Sequence, residues 1–288
     1  RGSGLAGLAA MAPVFWRAGV PILRPLLDMS PDSLIDHCAA CDAGFEIDPS
    51  NLDRRFERVR VRGALAVMAD QGSAMSDHLL RLARAAGTID RALLRALAGS
   101  GYLPAIQPSG HMLLPSGVAG LPTFIAARLL AHVIGQVARP QAPPATRALH
   151  HLAMRLADGR AATLGGVRFS LHEGAWLVTA EIGRRPPRLR VRGGEQVIFA
   201  GIWEIASPVD AIIRHLGEAG SGAAGDWTKT PGWCALPSLV RRSMPVLETL
   251  DGAVIYPHLQ INDMSAGTTI HATARFLPMS PATATYRN

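Results

Sequence analysis

Lysine is almost missing from this chain: Lys229 is the single one, although lysine and arginine together number 29. Its cationic chemistry therefore rests on arginine, whose planar guanidinium keeps its charge even when partly buried. Cysteine is scarce too. Cys38, Cys41 and Cys234 make an odd, small set that argues against a disulfide framework and fits a reducing compartment. Acidic residues are in deficit, 22 against 29 basic ones, for a formal net charge of +7. Such a chain favours polyanions, unless its richness in arginine and alanine reflects only a codon-biased genome. An uninterrupted membrane-length apolar run is also lacking. The stretch from Gly4 to Leu23 superficially resembles a secretory signal, but Pro13, Arg17 and Pro21 break it and no A-x-A site closes it. The expectation is a soluble, cytoplasmic protein with no membrane partner, and a first residue of arginine suggests that residues are missing upstream.

What is present is enough for real cores. The 288 residues are 48% hydrophobic and 18% charged, which suits a globular chain of about two domains. Ser30, Pro31 and Asp32 supply an N-cap, a proline at the first helical position and an acid in the first turn, so a helix is expected from Pro31 to Ala43, with Gly44 as its stop. Leu34, Cys38 and Cys41 then share a face that reads as buried. Core packing is the expectation for the two cysteines; half a zinc site or a redox pair beside His37 is the alternative. A second helix is expected from a Ser50 cap to about Ala69, with Asp53 reaching back to the Ser50 amide.

Between Gly and Pro punctuation, Ser76 to Ala86, Thr88 to Ala98, Pro122 to Val137 and Thr146 to Leu156 have helical apolar spacing. Arg139 to Pro144 reads as a stiff connector. After Gly159 the texture turns to strands: Thr163 to Leu171, Ala175 to Ile182, Arg188 to Arg192, Gln196 to Ala200, Ala253 to Tyr256 and Thr268 to Phe276. Glu173-Gly174, Gly193-Gly194 and Asp251-Gly252 sit at hairpin positions, Pro208 to Leu216 and Leu236 to Arg242 read as helices, and Gly217 to Gly225 as a surface loop. The sum is an α+β chain whose C-terminal part is an antiparallel sheet.

Arg54, Arg58 and Arg62 are spaced four apart and so stack along one stripe of the second helix, with Arg55 and Arg60 further round. Leu52, Phe56 and Val59 share another face and Val61, Leu65 and Met68 a third, which predicts packing on two sides. A guanidinium row suits phosphate oxygens, which it grips bidentately. The bland alternative is a solvated face with Glu57 and Asp53 as surface partners. Arg184-Arg185-Pro186-Pro187-Arg188-Leu189-Arg190-Val191-Arg192 is the densest basic run; it suits contacts with folded RNA or, equally, guards a sheet edge. His150-His151 reads as a solvated or phosphate-facing pair rather than a metal site. Trp176, Trp203, Trp227 and Trp233 read mostly as core rather than as stacking platforms for bases.

Four further stretches carry a resemblance. Arg1 to Met11 (RGSGLAGLAAM), Arg24-Pro25-Leu26-Leu27, Asp48-Pro49-Ser50-Asn51 and Arg58-x-x-x-Arg62 resemble, in order and spacing, successive motifs of bacterial tRNA(Ile)-lysidine synthases, which are N-type PP-loop ATP pyrophosphatases. Thr163 to Arg168, Leu236 to Arg242 and Tyr256 to Leu259 are similar to later parts of that family. Val59 stands where the family's Arg-Asn-x-x-Arg has asparagine, which removes a polar group beside the active face. The resemblance implies a C-terminal remnant of an α/β, Rossmann-like PP-loop domain over residues 1–71, a helical middle over 72–158 and a β-rich tRNA-binding end over 159–288. It implies a ligase that uses ATP and Mg2+ to join free L-lysine to C2 of the wobble cytidine in isoleucine tRNA with a CAU anticodon, changing codon recognition from AUG to AUA. On the family pattern Arg58 and Arg62 lie closest to the phosphates or the adenylated base. Arg24, Arg54, Arg60, Arg185, Arg188 and Arg190 would hold tRNA, and Asp48 and Asn51 would hold the loop. The family's ATP loop, Ser-Gly-Gly-x-Asp-Ser, is not found here, since Gly165-Gly166 and Gly193-Gly194 lack the following Asp-Ser and read as turns. That loop is expected upstream of Arg1, so this fragment alone is expected to be inactive, and a homodimer is left open. A non-catalytic tRNA-binding module from a truncated or decayed paralogue is the alternative, and an unrelated enzyme using Cys38 and Cys41 a remote third.

Overall fold

The structure, a computed structural model, describes residues 4–17, 20–46, 48–70, 75–140, 142–183, 186–217, 231–257, 261–263 and 272–277. The chain divides into two compact units, essentially residues 3–92 and 93–286. The mixture of helices with antiparallel sheets agrees with the α+β expectation.

The first unit begins with a short helix, α1 (Leu5–Leu8), and an antiparallel hairpin of β1 (Val14–Arg17) and β2 (Val20–Leu23), in which Val14 faces Leu23. The signal-like stretch is thus spent on a turn of helix and two strands. Helix α2 (Pro31–Ala40) starts as its sequence predicts: the Ser30 side chain accepts the Ser33 N–H and Pro31 opens the first turn. It stops three residues short of the expected Ala43. Ala43 N–H bonds the Cys38 carbonyl at 2.9 Å and Asp42 N–H the Ala39 carbonyl at 3.3 Å, with Asp42 at φ 51°, which together form a Schellman end. No residue of α2 is buried, and Cys41 is exposed, which overturns core packing for the cysteine pair.

Helix α3 (Glu57–Asp70) also departs from expectation, since it starts at Glu57 rather than after Ser50. Pro49–Asn51 forms a separate 3-10 turn, and the Asp53 carboxylate takes the Arg55 N–H at 2.9 Å, which favours a turn over a continuing helix. Nor is α3 packed on two sides: Phe56, Val61 and Met68 are exposed and Leu52 is 75% exposed. Helix α4 (Met75–Gly99) is one element where two were expected. Gly87 is carried inside it at a tolerable cost of about 1 kcal/mol, and its missing side chain suits a close neighbour, because a Cβ there would lie 3.4 Å from that of Ala9.

The second unit has two main cores. In the first, α5 (Thr123–Val137) and α6 (Thr146–Ala157) lie on a four-stranded antiparallel sheet ordered β3-β6-β5-β4, made of β3 (Met112–Pro115), β4 (Ala162–Leu164), β5 (Val167–His172) and β6 (Ala175–Ala180). Leu129, Leu130, Val133, Ile134 and Val137 of α5 are fully buried against Leu114, Val167, Phe169 and Val178 of the sheet. This cluster runs across residue 159, where the sequence changes texture. Gly165-Gly166 and Glu173-Gly174 form the two-residue turns of its hairpins, each with positive φ at both positions.

In the second core, five strands ordered β13-β12-β11-β10-β7 face three ordered β14-β9-β8. The strands are β7 (Leu189–Val191), β8 (Gln196–Phe199), β9 (Trp203–Ala206), β10 (Ala211–His215), β11 (Pro245–Thr249), β12 (Val254–Tyr256), β13 (Ile261–Asp263) and β14 (Thr273–Phe276). Val191, Phe199, Trp203, Ile205, Ile213, Leu247, Ile255 and Phe276 fill the space between the sheets. On the opposite face, α7 (Pro231–Cys234) and α8 (Ser238–Ser243) help cover a patch where Trp233, Met244, Val246 and Tyr256 pack. The expected helix from Pro208 to Leu216 is strand β10. Its burial alternates along Ala211-Ile212-Ile213-Arg214-His215, and β7 and β11 bond it on both sides, so β-branched side chains and available partners prevail over a short helical pattern. Gly193-Gly194 does not close a hairpin either; it carries the chain from one sheet to the other. A Cβ on Gly193 would lie 2.9 Å from the Pro208 carbonyl oxygen. Trp176, Trp203 and Trp233 are buried as expected, whereas Trp227 and residues 218–225 of the expected surface loop lie outside the described residues. Among the described residues no helix is long and apolar enough to cross a membrane.

Arg139 links the two cores. It has φ 46°, and its guanidinium donates to the Gly201 carbonyl at 2.9 Å and to the Leu277 carbonyl.

Two predictions test this packing. Gly165 has φ 60° and a Cβ there would lie 2.8 Å from Ile134, whereas Gly174, at φ 78°, has open space. Gly165→Ala is expected to cost about 2 to 4 kcal/mol in denaturant unfolding, and Gly174→Ala only about 1. The second concerns two buried histidines. Burial holds the His111 and His215 imidazoles below their ordinary pKa, with the charge of His172 adding to the effect on His111 and the Ser243 carbonyl partly opposing it on His215. The unfolded chain then accepts protons that the fold refuses. Stability is complete above about pH 6.5 and falls as pH drops through that value toward the lowered ones, by at most about 1.4 kcal/mol per pH unit for each histidine. His215→Gln should flatten the acid side of a plot of unfolding midpoint against pH.

Candidate functional site

The turn that leads into α3 is built by its own acids. Asp48 Oδ1 accepts the Ser50 N–H at 2.8 Å, and this bond, a side-chain bond with Ser50 and the charge of Arg58 hold Asp48 below the usual carboxylate range. Asp53 Oδ2 takes the Arg55 guanidinium at 2.8 Å from Nε and 2.7 Å from Nη2, which lowers its pKa in the same way. Arg60 Nη1 donates to the carbonyls of Arg54 and Arg55 at 2.9 and 3.0 Å, tying the turn to the helix that follows. Both carboxylates are therefore used inside the loop.

The remaining arginines keep capacity for an outside anion. Arg58 Nη2 lies 3.4 Å from Ser50 Oγ, and the guanidinium sits 5.2 Å above the centre of the Phe56 ring, so a hydroxyl and an aromatic face hold it. Arg62 follows one turn later on the same helix and is exposed. Among the described residues, the guanidiniums of Arg54 and Arg62 have no hydrogen-bonding or ion-pair partner, although the Arg54 carbonyl accepts from Arg60, and Arg58 has no ion pair. Arg54 precedes the helix, so the expected stripe of three is a helical pair with a third arginine on the adjoining turn. Arg24 is half-buried and used in part: its Nη1 donates to the Ala12 carbonyl at 3.2 Å, beside the β1–β2 hairpin.

The second unit holds a separate basic group. Arg214 Nε on β10 and Arg188 Nη2, just before β7, share Glu248 Oε2 on β11, at 2.7 and 3.3 Å. The Arg214 hydrogen bond, then the charges of Arg214 and Arg188, keep the Glu248 carboxyl ionised below its ordinary range. Arg190 lies exposed on edge strand β7 opposite Ile212, and Arg185 falls outside the described residues. Sequence reasoning missed Arg214 and Glu248. The signal was there in the period-two burial around Arg214, but it was hidden once that stretch was taken as helix. Ser50 and Phe56, as neighbours of Arg58, were likewise not anticipated. His151 is exposed, while His150 Nε2 is buried and has no hydrogen-bond partner among the described residues. No group of three or more His, Cys, Asp or Glu side chains gathers as metal ligands among them.

Residues 1–68, which contain this loop and most of α3, match the PP-loop domain family. The chain is 33% identical to a tRNA(Ile)-lysidine synthase of Ruegeria pomeroyi over 235 residues, which is 80% of this chain and 55% of the relative. The chain belongs to the tRNA(Ile)-lysidine synthase family. A relative of the same name from Methylobacterium nodulans is 35% identical over 198 residues, 64% of this chain and 57% of its own length. One from Rhodopseudomonas palustris is 46% identical over 93 residues, 32% of this chain and 27% of the relative. The chain thus spans about half the length of the Ruegeria and Methylobacterium lysidine synthases.

The Asp48 cap is expected to govern the order of the loop in this family member. In Asp48→Ala, amide exchange at Ser50 should speed by about tenfold while amides in the middle of α6 keep their rates. Equal acceleration at both places would mean that the cap acts on global stability instead.

Proposed function

We propose that this chain works in lysidine formation, the ATP-dependent ligation of free L-lysine to C2 of the wobble cytidine of isoleucine tRNA with a CAU anticodon, which changes its decoding from AUG to AUA. The observation that carries this reading is kinship with lysidine synthases over most of the chain, joined to exposed arginines whose neighbouring carboxylates are already occupied. In the reaction the base oxygen at C2 takes the adenylyl group as pyrophosphate leaves, and the lysine amine then displaces AMP. Every stage builds negative charge on phosphate, which fixed guanidinium donors stabilise. Arg58 and Arg62 are assigned to the phosphates or the adenylated base.

Arg24, Arg54, Arg60, Arg185, Arg188 and Arg190 are assigned to the tRNA. Arg24, Arg60 and Arg188 spend some N–H groups on the protein but keep their charge and further donors. In functional terms residues 1–71 serve as the end of the catalytic domain, 72–158 as a helical middle and 159–288 as the tRNA-binding end. The guanidiniums fit the phosphates of ATP. Among the described residues no cluster of carboxylates gathers to hold magnesium.

Two measurements test this function. tRNA affinity should fall steeply as salt rises, and Arg190→Ala should reduce the slope of log affinity against log salt by about one; a flat salt dependence contradicts an arginine-held RNA. In the full-length protein, Arg58→Ala should lower the rate of lysine incorporation by about a hundredfold or more with tRNA affinity little changed. An unchanged rate removes Arg58 from the chemistry, and tRNA binding with no incorporation by the unmutated protein would leave a binding module.

A further inference from the structure

The C-x-x-C sequence belongs to no part of the proposed reaction, and its surroundings are not those of a packing pair. Helix α2 buries none of its residues; Cys41 is exposed, Cys38 is half-buried, and both are free thiols. The Schellman end fixes their places, since Cys38 supplies the carbonyl that receives the Ala43 N–H and Cys41 is the last, half-helical residue. Residues three apart at a helix end have Cα atoms about 5 Å apart, inside the range a disulfide spans. The Cys41 backbone has already left the regular helix, at φ −95° and ψ 5°, so local adjustment can bring the sulfurs together without unwinding the turns before it. A base is also in place: His37 Nε2 lies 3.7 Å from Cys41 Sγ, one helical turn back. Thiolate is the attacking form of cysteine, and an imidazole in contact can take the thiol proton.

We propose that Cys38 and Cys41 are a reversible redox-modification site, closed to an intramolecular disulfide by thiol–disulfide exchange with a low-molecular-weight disulfide of the glutathione class. Cys41 gives its proton to His37 and attacks one sulfur of the oxidant, forming a mixed disulfide and releasing the first small thiol. Cys38, losing its own proton to solvent, then attacks Cys41 Sγ and expels the second. Two protein S–H bonds are lost, one protein S–S bond forms, and the oxidant's S–S bond is reduced to two thiols. Closure covalently bridges the last turn of a helix that no buried side chain holds.

Cys234 provides the internal control, being exposed and alone in its part of the sequence. The reduced chain is equilibrated with graded ratios of oxidised to reduced glutathione, quenched in acid, alkylated and mapped by mass spectrometry. The expected result is a peptide holding Cys38 and Cys41 that loses two hydrogens and takes up no alkyl group, at ratios where Cys234 is still alkylated or carries glutathione. Cys38→Ser should trap the glutathione adduct on Cys41. His37→Gln should slow closure severalfold at neutral pH and change its pH dependence, with far-UV dichroism unaltered. Separate glutathione adducts on Cys38 and Cys41, formed in parallel with that on Cys234, would overturn the site; a rate and pH profile untouched by His37→Gln would overturn the role of the histidine.

Discussion

The second unit depends above all on the burial of α5. From Ala126 to Ile134 every residue of this helix is buried, Arg128 and His132 included, and its leucines, valines and isoleucine lie against the four-stranded sheet and α6. A helix surrounded so completely cannot choose its neighbours freely, because any side chain that grows into the space must displace another. Gly165 shows the constraint at its sharpest, where the turn between β4 and β5 passes so near Ile134 that no side chain fits. Just beyond the same end of the helix, Arg139 gives hydrogen bonds to two carbonyls of the second core. The turn between β8 and β9 and the end of β14 are thereby tied to the first core.

The first unit is made differently. Its described residues contribute almost nothing to the clusters of buried side chains, and its order rests on local devices: the Ser30 cap, the Asp48 turn, the Asp53 clamp on Arg55 and the Arg60 bonds to two carbonyls. These are short-range polar contacts in water, each worth little alone. Together they leave the guanidiniums of Arg54, Arg58 and Arg62 facing no fixed carboxylate partner. Charge that is not neutralised among these residues remains available to a ligand.

Local chemistry was legible in the sequence and pairing was not. Ser30-Pro31 announced the start of α2, and Glu173-Gly174 announced its hairpin, because both signals act within a few residues. The strand at Ala211–His215 went unrecognised because its stability comes from β7 and β11, which lie far away in sequence. The cysteines were misjudged for a related reason: helical spacing reveals that Leu34 and Cys38 share a face, but not whether anything covers it. The arginine stripe was half right. Its spacing predicted the pair on α3, while the break at Asp53 came from a side chain competing for backbone N–H groups, an effect that apolar periodicity does not register. The family resemblance singled out Arg58; the folded turn adds Ser50 and Phe56 beside it.

Strand β7 is three residues long and, among the described residues, is the last strand on its side of the sheet. Bare edges of that kind invite other chains to add a strand, and natural sheets discourage this with short edges and charged side chains. Arg190 lies on this strand and Arg188 and Arg192 flank it. Positive side chains on and beside a strand of this kind discourage another copy from adding to it, a constraint on these positions that does not depend on any ligand.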